Sequence, residues 1–248
     1  WGIATDGNPL LIVVATVALQ LFFVARVALM IVVDPQSTTF QRSEAWRLLV
    51  ERRQILWSQQ WVDDERISPN LKRAVIASED AEFPEHSGVD WDAIEKAWER
   101  NQRAEQRIER LNLQLERRNG NAAHGKLPPA TAPPRAAKVV GGSTITQQLA
   151  KNLFFSTHKS LVRKARELLV SRWLEQDLTK ARILTLYLNV IEWGDGVFGA
   201  QAAARHWYGK SAAELAFAQL NALWRRVGAG AADVVLVVPG AYSKEQLG

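Results

Sequence analysis

The feature that most constrains the fold is a continuous apolar run near the start of the chain. Residues 9–33 read PLLIVVATVALQLFFVARVALMIVV, which is long enough to cross a bilayer as one helix. The run is too long for the core of a signal peptide and lacks a clear small-x-small cleavage site. Asp34 and Pro35 end it, and Arg26 lies near enough to that end for its charge to reach the interface. We therefore predict a transmembrane helix, with a buried core helix as the alternative.

The composition of the 248-residue chain suits one domain with appendages and an anionic partner. The formal net charge is +5, the apolar fraction is 47%, and the 10 tryptophans favour cores and membrane interfaces. No cysteine is present, which excludes disulfides and cysteine metal sites. Arg42, Arg47, Arg52 and Arg53 follow the apolar run, and a positive-inside count alone would place the body in the cytoplasm.

A polar stretch led by two glycines, residues 141–152 (GGSTITQQLAKN), marks the start of a helix. Thr144 and Gln147 stand at the spacing of a capping box, so we predict a helix that begins near Thr144. The N–H groups at such a start, together with Lys151, suit an anionic phosphate group. A loop that enters an ordinary capped helix is the other interpretation. The stretch is not a Walker loop, because no Gly-Lys-Ser/Thr follows the glycines.

A second polar cluster follows a helix that we predict to begin at residues 68–70 (SPN). Residues 79–90 read EDAEFPEHSGVD, and Pro84 and Gly88 force the chain out of regular helix. Two carboxylates at a helix end, followed by an aromatic, a His and an Asp, suit acid/base catalysis. By composition, a solvated acidic loop is equally consistent with this segment.

A third cluster combines two cations and a carboxylate. Arg163, Lys164 and Glu167 are spaced to share one face of a helix. The cations would keep the carboxylate ionised and remain available to a phosphate. A surface ladder of ion pairs is the alternative.

The remaining segments predict a mainly α fold with few strands. Residues 36–66 read as a polar connector with short helices, and residues 91–118 as a charged helix with a thin apolar stripe. Residues 119–137, rich in Pro, Ala and Gly, read as a linker. Thr179 is expected to cap a helix at 180–188 that has Asn189 at its C-terminal end. A glycine-rich turn at 192–199 and helices at 200–207 and 214–224 follow.

Taken together, these blocks resemble the peptidoglycan glycosyltransferases, glycosyltransferase family 51. The matching blocks, in chain order, are residues 79–90, 141–152, 163–167, 183–189 and 194–199. Their order behind an N-terminal anchor is similar to the single-domain kind, the monofunctional biosynthetic transglycosylases. The resemblance covers roughly residues 65–225 and implies a lysozyme-like α fold in two lobes.

The resemblance also implies a reaction and a set of site residues. Lipid II would be polymerised into β-1,4 glycan strands, with inversion and with release of undecaprenyl pyrophosphate. The family's catalytic base corresponds to Glu79, and its second essential glutamate to Glu167. The positions expected to bind the pyrophosphate or line the cleft are Lys151, Arg163, Lys164, Thr144, Gln148, Asn152 and Ser143. The positions expected to shape the motifs are Asp80, Phe83, His86 and Asn189.

The implied location is the bacterial inner membrane, with a single span and the catalytic domain in the periplasm, against the positive-inside count. The implied partners are lipid II, the growing glycan strand and the lipids of the inner membrane. Other proteins of cell-wall synthesis or division are candidate partners, whereas nucleic acid is not, since no binding motif accompanies the basic charge. A divalent cation, Mg or Mn, would suit a pyrophosphate substrate, although no spacing of metal ligands demands one.

The predicted domains are an N-terminal segment at 1–35 with its transmembrane helix at about 9–33, a connector at 36–66, the glycosyltransferase domain at 67–226, and an atypical C-terminal tail at 227–248. An insertion at about 103–137 and the tail, which lacks the family's closing helix, depart from the family pattern. They favour the alternative of a non-catalytic membrane-anchored scaffold, which the retained glutamates and cations oppose. A glycan-cleaving hydrolase is opposed by the cation cluster, because hydrolysis of a glycan releases no pyrophosphate.

Overall fold

The computed structural model describes residues 9–123, 141–156 and 160–215 of the chain. These residues form two compact units. One unit runs up to Val89 and resumes at Thr144, and the other lies between Asp90 and Ser143. The predictions for the linker at 124–137, the end of the glycosyltransferase domain at 216–226 and the tail at 227–248 lie outside the described residues.

The described residues are mostly helical, which confirms the prediction of a mainly α fold. The helices are α1 (Pro9–Leu29), α2 (Thr39–Arg52), α3 (Pro69–Glu79), α4 (Trp91–Ala123), α5 (Ile145–Phe154), α6 (Leu161–Asp177), α7 (Lys180–Val190) and α8 (Ala200–Tyr208). Short 3-10 turns cover Asp64–Arg66 and Ala212–Glu214. Two short strands, β1 (Ser58–Gln59) and β2 (Val197–Phe198), pair in parallel.

The N-terminal helix α1 is long and apolar enough to cross a membrane. It ends at Leu29, earlier than the apolar run, and continues as a tight turn in which the Met30 N–H donates to the Val27 carbonyl (3.0 Å). Val27 and Met30 are buried in the core of the first unit. The last turn of α1 and the turn that follows it therefore pack against the rest of the first unit.

Two further contacts fix the end of α1 to the first unit. The ring of Phe23 lies 5.4 Å from that of Phe154 and 6.5 Å from that of Trp173, measured between centroids. Arg182 at the start of α7 donates to the Met30 carbonyl (2.8 Å) and to the Asp34 carboxylate (2.7 Å). The end of α1 is thus attached to α5, α6 and α7.

The connector at 36–66 is more ordered than its polar sequence indicates. Helix α2 begins with a complete capping box, in which Thr38 and Gln41 exchange side-chain and backbone hydrogen bonds (3.1 and 2.9 Å). The Gln41 amide also donates to the Val190 carbonyl (3.2 Å), and Leu48 is fully buried. The connector therefore packs into the first unit, with α2 against α5.

Helix α5 lies at the centre of the first unit and packs against α2, α6 and α7. Its apolar side chains Ile145, Leu149 and Leu153 recur at helical spacing and are buried. Helix α3 contributes Leu71 and Val75 to the same core. This packing sets where the polar side chains of α3 and α5 lie.

The prediction that Asn189 ends α7 is wrong, because α7 continues through it to Val190. Asn189 is fully buried, and its side-chain amide pairs with the backbone of Val62 as a residue of a neighbouring strand would. The amide donates to the Val62 carbonyl (2.9 Å) and accepts from the Val62 N–H (2.9 Å). Asn189 therefore joins the connector to α7. The cap predicted at Thr179 is confirmed by a hydrogen bond from the Arg182 N–H (3.2 Å).

The glycine-rich turn at 192–199 brings β2 beside β1. Gly196 has φ +74°, and a Cβ there would lie 2.4 Å from the Leu56 carbonyl oxygen, so no other residue fits. The carbonyl of Gly196 accepts from the Ser58 N–H (2.7 Å), and its N–H donates to the Glu192 carboxylate (3.1 Å). Glu192 thus stabilises the turn that carries β2 and places it beside β1.

The second unit, residues 90–143, contains the long helix α4. Asp90 caps it by accepting from the Ala93 N–H (2.7 Å). Gly142 approaches its first turns so closely that a Cβ would lie 2.9 Å from the Cα of Ile94. The prediction of a linker from residue 119 is wrong for residues 119–123, which continue the helix. A glycine in a helix costs only about 1 kcal/mol, and Ala122 and Ala123 further along favour helix.

The Glu192 carboxyl predicts a dependence of stability on pH. Burial raises the pKa of Glu192 to about 7, Glu44 and Asp195 add to the rise, and the Gly196 N–H and Arg47 oppose it. Because the folded state favours the protonated form, stability is full at low pH and falls as pH rises through the folded pKa. We expect the Tm of the wild type, measured by circular dichroism in detergent, to fall by about 3 °C between about pH 5 and about pH 8 because of this carboxyl group. The variant Glu192→Gln is expected to lack this fall.

Glu65→Gln is the matched control, because Glu65 is exposed. It is expected to leave the pH dependence of the wild type unchanged. Parallel Tm curves for the wild type and Glu192→Gln would contradict the prediction.

Candidate active site

The carboxylate of Glu79 is placed by the end of α3. Ser68 and Pro69 begin this helix, as predicted, and Glu79 is its last residue. Its Oε2 accepts from Nε2 of Gln148 (2.9 Å), while Oε1 is buried without a hydrogen-bond partner among the described residues. Burial raises the pKa of Glu79 and Asp80 adds to the rise, whereas Gln148 and Lys151 oppose it. A carboxylate with one uncommitted oxygen and a raised pKa suits a general base.

The amide of Gln148 makes a second hydrogen bond, at the end that faces away from Glu79. The hydroxyl of Tyr187, a fully buried residue of α7, donates to Oε1 of Gln148 (2.9 Å). The sequence predicts Gln148 as a site residue but not Tyr187. Tyr187 lies in an apolar helix, so its pattern indicates only the core.

Asp80, the residue after Glu79, lies in a different environment. It is buried, and its Oδ2 accepts from the Ile145 N–H at the start of α5 (2.9 Å). Nε2 of His86 lies 2.8 Å from Oδ1. Since the Gly88 N–H donates to Nδ1 of His86 (3.1 Å), the ring carries its proton on Nε2 and donates it to Asp80. Asp80 therefore joins three segments of the chain.

The start of α5 differs from the predicted phosphate site. The helix begins at Thr144 as predicted, and the Thr144 hydroxyl accepts from the Gln147 N–H (3.2 Å) and donates to the Gly88 carbonyl (2.7 Å). However, the anion at this helix start is the Asp80 carboxylate. Gln147 completes no capping box, because its Oε1 accepts from Nζ of Lys164 instead (3.4 Å).

The loop that follows Glu79 is clamped by Lys180. The ammonium group of Lys180 donates to the His86 carbonyl (2.6 Å) and pairs with Glu175 (2.8 Å). It also lies 4.5 Å from the centre of the buried Phe83 ring. Glu175 also accepts from the Thr146 hydroxyl (2.5 Å). The sequence predicts Phe83 and His86 at the site but misses Glu175, Lys180 and Thr146, which come from three different helices.

The basic cluster has the predicted geometry on α6. Arg163 pairs with Glu167, and Nζ of Lys164 lies 3.3 Å from the other oxygen of the same carboxylate. Glu167 is only 2% exposed, so the cluster is not a surface ladder. Two cations around one buried carboxylate leave a net positive charge on this face. Lys164 is the more exposed of the two cations, with 43% of its side chain accessible.

The other predicted binding residues differ in exposure. Lys151 and Gln148 are partly exposed on α5, whereas Thr144 and Asn152 are buried. Ser143 directly precedes Thr144 but belongs to the second unit. Of the predicted binding residues on α5 and α6, those with side chains accessible to a substrate are Gln148, Lys151, Arg163 and Lys164.

The described residues do not fit a resident divalent cation. Both oxygens of Glu167 are engaged by cations, and the described ranges contain no group of three His, Asp or Glu residues that could hold a metal ion. Divalent cations such as Mg²⁺ require several oxygen ligands.

Comparison with known proteins gives a family match over most of the chain. A family model described as Transglycosylase matches residues 49–110 and 131–231. Both stretches contain site residues, with Glu79 in the first and Gln148, Lys151, Glu167 and Tyr187 in the second. The unmatched residues 111–130 lie within the segment predicted to be an insertion.

Curated relatives carry the name "Biosynthetic peptidoglycan transglycosylase". The protein of Paraburkholderia phytofirmans is 43% identical over 208 residues, which cover 84% of this chain and 74% of the relative. That of Bordetella pertussis is 48% identical over 186 residues, 75% of this chain and 66% of the relative. That of Cupriavidus metallidurans is 40% identical over 239 residues, 95% of this chain and 84% of the relative.

The buried pair of Arg163 and Glu167 predicts a large loss of stability when one partner is removed. Arg163→Gln leaves the buried Glu167 carboxylate with Lys164 alone, and the free energy of unfolding is expected to fall by about 3 kcal/mol. Arg166→Gln, an exposed position on the same helix, is expected to change it by less than about 0.5 kcal/mol. Chemical denaturation in detergent measures both.

Replacing the carboxylate as well separates charge from packing. The double variant Arg163→Gln/Glu167→Gln is expected to be more stable than Arg163→Gln alone, because no buried charge is left unpaired. Equal stability of Arg163→Gln and Arg166→Gln would contradict the prediction.

Proposed function

The chain belongs to the transglycosylase family, and we propose that it uses Glu79 as the general base of peptidoglycan polymerisation. Membership makes it a peptidoglycan glycosyltransferase that builds glycan strands for the cell wall from lipid II. The observation that carries the proposal for Glu79 is its carboxylate, which has one oxygen held by Gln148 and the other uncommitted among the described residues.

In the proposed step, the 4-hydroxyl of an incoming lipid II attacks the anomeric carbon of the growing strand. Its proton passes to Oε1 of Glu79 as the new β-1,4 bond forms. The bond between the anomeric carbon and the pyrophosphate oxygen breaks, and its electron pair leaves with undecaprenyl pyrophosphate. Attack opposite to the leaving group inverts the anomeric centre. The raised pKa of Glu79 makes its carboxylate a stronger base than an exposed glutamate.

The leaving pyrophosphate needs compensation of its charge rather than a strong acid. Lys151, Arg163 and Lys164 are proposed to supply it. Glu167 does not face the substrate in this scheme, because it is buried and paired with two of these cations. Its proposed role is to orient them.

The apolar helix α1 supports a place at the membrane. We propose a single span in the bacterial inner membrane with the catalytic residues in the periplasm, where inner-membrane lipids and the lipid-linked substrate meet the protein. Other proteins of cell-wall synthesis or division stay candidate partners. Any Mg²⁺ or Mn²⁺ is proposed to arrive with the pyrophosphate, since the described residues offer no resident site.

The decisive variant is Glu79→Gln, which keeps the size of the side chain and the contact with Gln148 but cannot accept the proton. Polymerisation of labelled lipid II by the detergent-solubilised protein is expected to fall at least about a hundredfold. Glu82→Gln, an exposed carboxylate on the same loop, is expected to retain wild-type activity. The Tm of Glu79→Gln should not be lower than that of the wild type at neutral pH, because a buried charge is removed.

Polymer from both variants would keep the enzyme and remove Glu79 as its base. No polymer from a folded wild type would favour the scaffold alternative. Product release is followed separately by the appearance of undecaprenyl pyrophosphate.

A further inference from the structure

A chain of two hydrogen bonds connects the core to the proposed base. The hydroxyl of Tyr187 donates to Oε1 of Gln148 (2.9 Å), and Nε2 of Gln148 donates to Oε2 of Glu79 (2.9 Å). The three residues come from α7, α5 and α3. The ring of Tyr187 is fully buried, and a phenylalanine would fill nearly the same space without a polar atom to satisfy. The hydroxyl therefore needs an explanation other than packing.

The direction of this chain is set by the Tyr187 hydroxyl. A glutamine amide has one end that only accepts and one that only donates hydrogen bonds. Among the described residues, the hydroxyl of Tyr187 makes one hydrogen bond, the one that it donates to Gln148. If the amide were turned by half a rotation, its NH₂ group would face the hydroxyl, and the hydroxyl proton would lose its acceptor.

The two orientations of the amide favour different states of Glu79. The observed one presents NH₂ to the carboxylate and stabilises the ionised form. The reversed one presents a carbonyl oxygen, which attracts a protonated carboxyl group and repels an ionised one. A base must be ionised before it can accept the proton of the acceptor hydroxyl.

We propose that Tyr187 is a positioning residue that favours the ionised form of Glu79 by fixing which end of the Gln148 amide faces its carboxylate. This inference rests on the proposed role of Glu79, because it concerns the readiness of that same carboxylate. Tyr187 is fully buried and acts through Gln148. Burial and the carboxylates of Glu79 and Asp80 raise the pKa of Tyr187 well above its ordinary value, so its hydroxyl remains a donor throughout the working range.

Other charged groups around Glu79 are unchanged by a substitution at Tyr187. Asp80 adjoins it on the chain and raises its pKa, and Lys151 on α5 lowers it. Gln148 from α5 also lowers the pKa of this carboxylate, and the charge of Glu79 in turn raises the pKa of Tyr187 on α7. A change in the ionisation of Glu79 in Tyr187→Phe would therefore report the orientation of the amide.

The test compares Tyr187→Phe with the wild type by two readouts. The first is the pKa of Glu79 itself, obtained from carboxyl infrared difference spectra that are assigned with Glu79→Gln. It is expected to rise by about one unit. The second is polymerisation of lipid II as a function of pH. Below the pKa of Glu79, kcat is expected to fall about tenfold and to recover as pH rises, while KM changes by less than about twofold.

Tyr208→Phe is the matched control, since it removes an equal hydroxyl from a partly buried ring at the end of α8. It is expected to shift neither readout. Circular dichroism shows whether Tyr187→Phe is folded. If it is not, Gln148→Met removes the donor to Glu79 directly and must raise the pKa of Glu79 by at least as much.

An unchanged pKa of Glu79 in the folded variant overturns the inference. A loss of kcat that is the same at every pH also overturns it, because that result indicates a general disturbance of the core. If the pKa rises but the pH profile of polymerisation does not follow, Tyr187 sets the ionisation of Glu79 and Glu79 is not the base. The failure of the inference and the failure of the proposed base are thereby distinguishable.

Discussion

The site depends on one buried carboxylate, that of Asp80. It accepts the backbone N–H of Ile145 at the start of α5 and the ring proton of His86. A buried carboxylate is costly unless its oxygens are satisfied, and a helix start supplies both an N–H donor and a favourable dipole. Because Asp80 directly follows Glu79, this bond fixes the end of α3 against the start of α5. The distance from Glu79 to Gln148 is set by the same contact, since Gln148 is only one turn further along α5.

The two glutamates, Glu79 on α3 and Glu167 on α6, lie in opposite environments. Glu79 is partly buried, and its pKa is raised mainly by loss of solvent. Glu167 is more deeply buried, but Arg163 and Lys164 surround it. One carboxylate is therefore made more basic, and the other is neutralised and used to hold cations. Such a division allows a proton to be accepted at one place and negative charge to be received at another.

The sequence predicts those features that depend on neighbouring residues. Thr144 and Thr179 start helices because a hydroxyl cap acts over three residues, and Arg163 and Glu167 meet because they are one turn apart. Contacts between distant segments are not predictable in this way. Asp80 reaches Ile145 across 65 positions and Tyr187 reaches Gln148 across 39. Short helices are predicted in the connector, but the packing of α2 into the core is not, because its core contacts come mainly from polar side chains. Gln41 is the main example, since its capping box and its bond to Val190 give no apolar periodicity.

Helix α7 connects the apolar helix α1 to Glu79, the proposed base. Its first turn holds the end of α1 through Arg182, and one turn later Tyr187 holds Gln148. Helix α5 makes a parallel connection, because Phe154 contacts Phe23 of α1 and lies one turn after Lys151. A substrate linked to a polyprenyl chain keeps its pyrophosphate at the membrane surface. If α1 spans the membrane, its packed end holds the cations and the proposed base at a fixed distance from the membrane surface, where the pyrophosphate lies. A flexible tether would let that distance vary. The packed end of α1 would therefore position the site as well as anchor it.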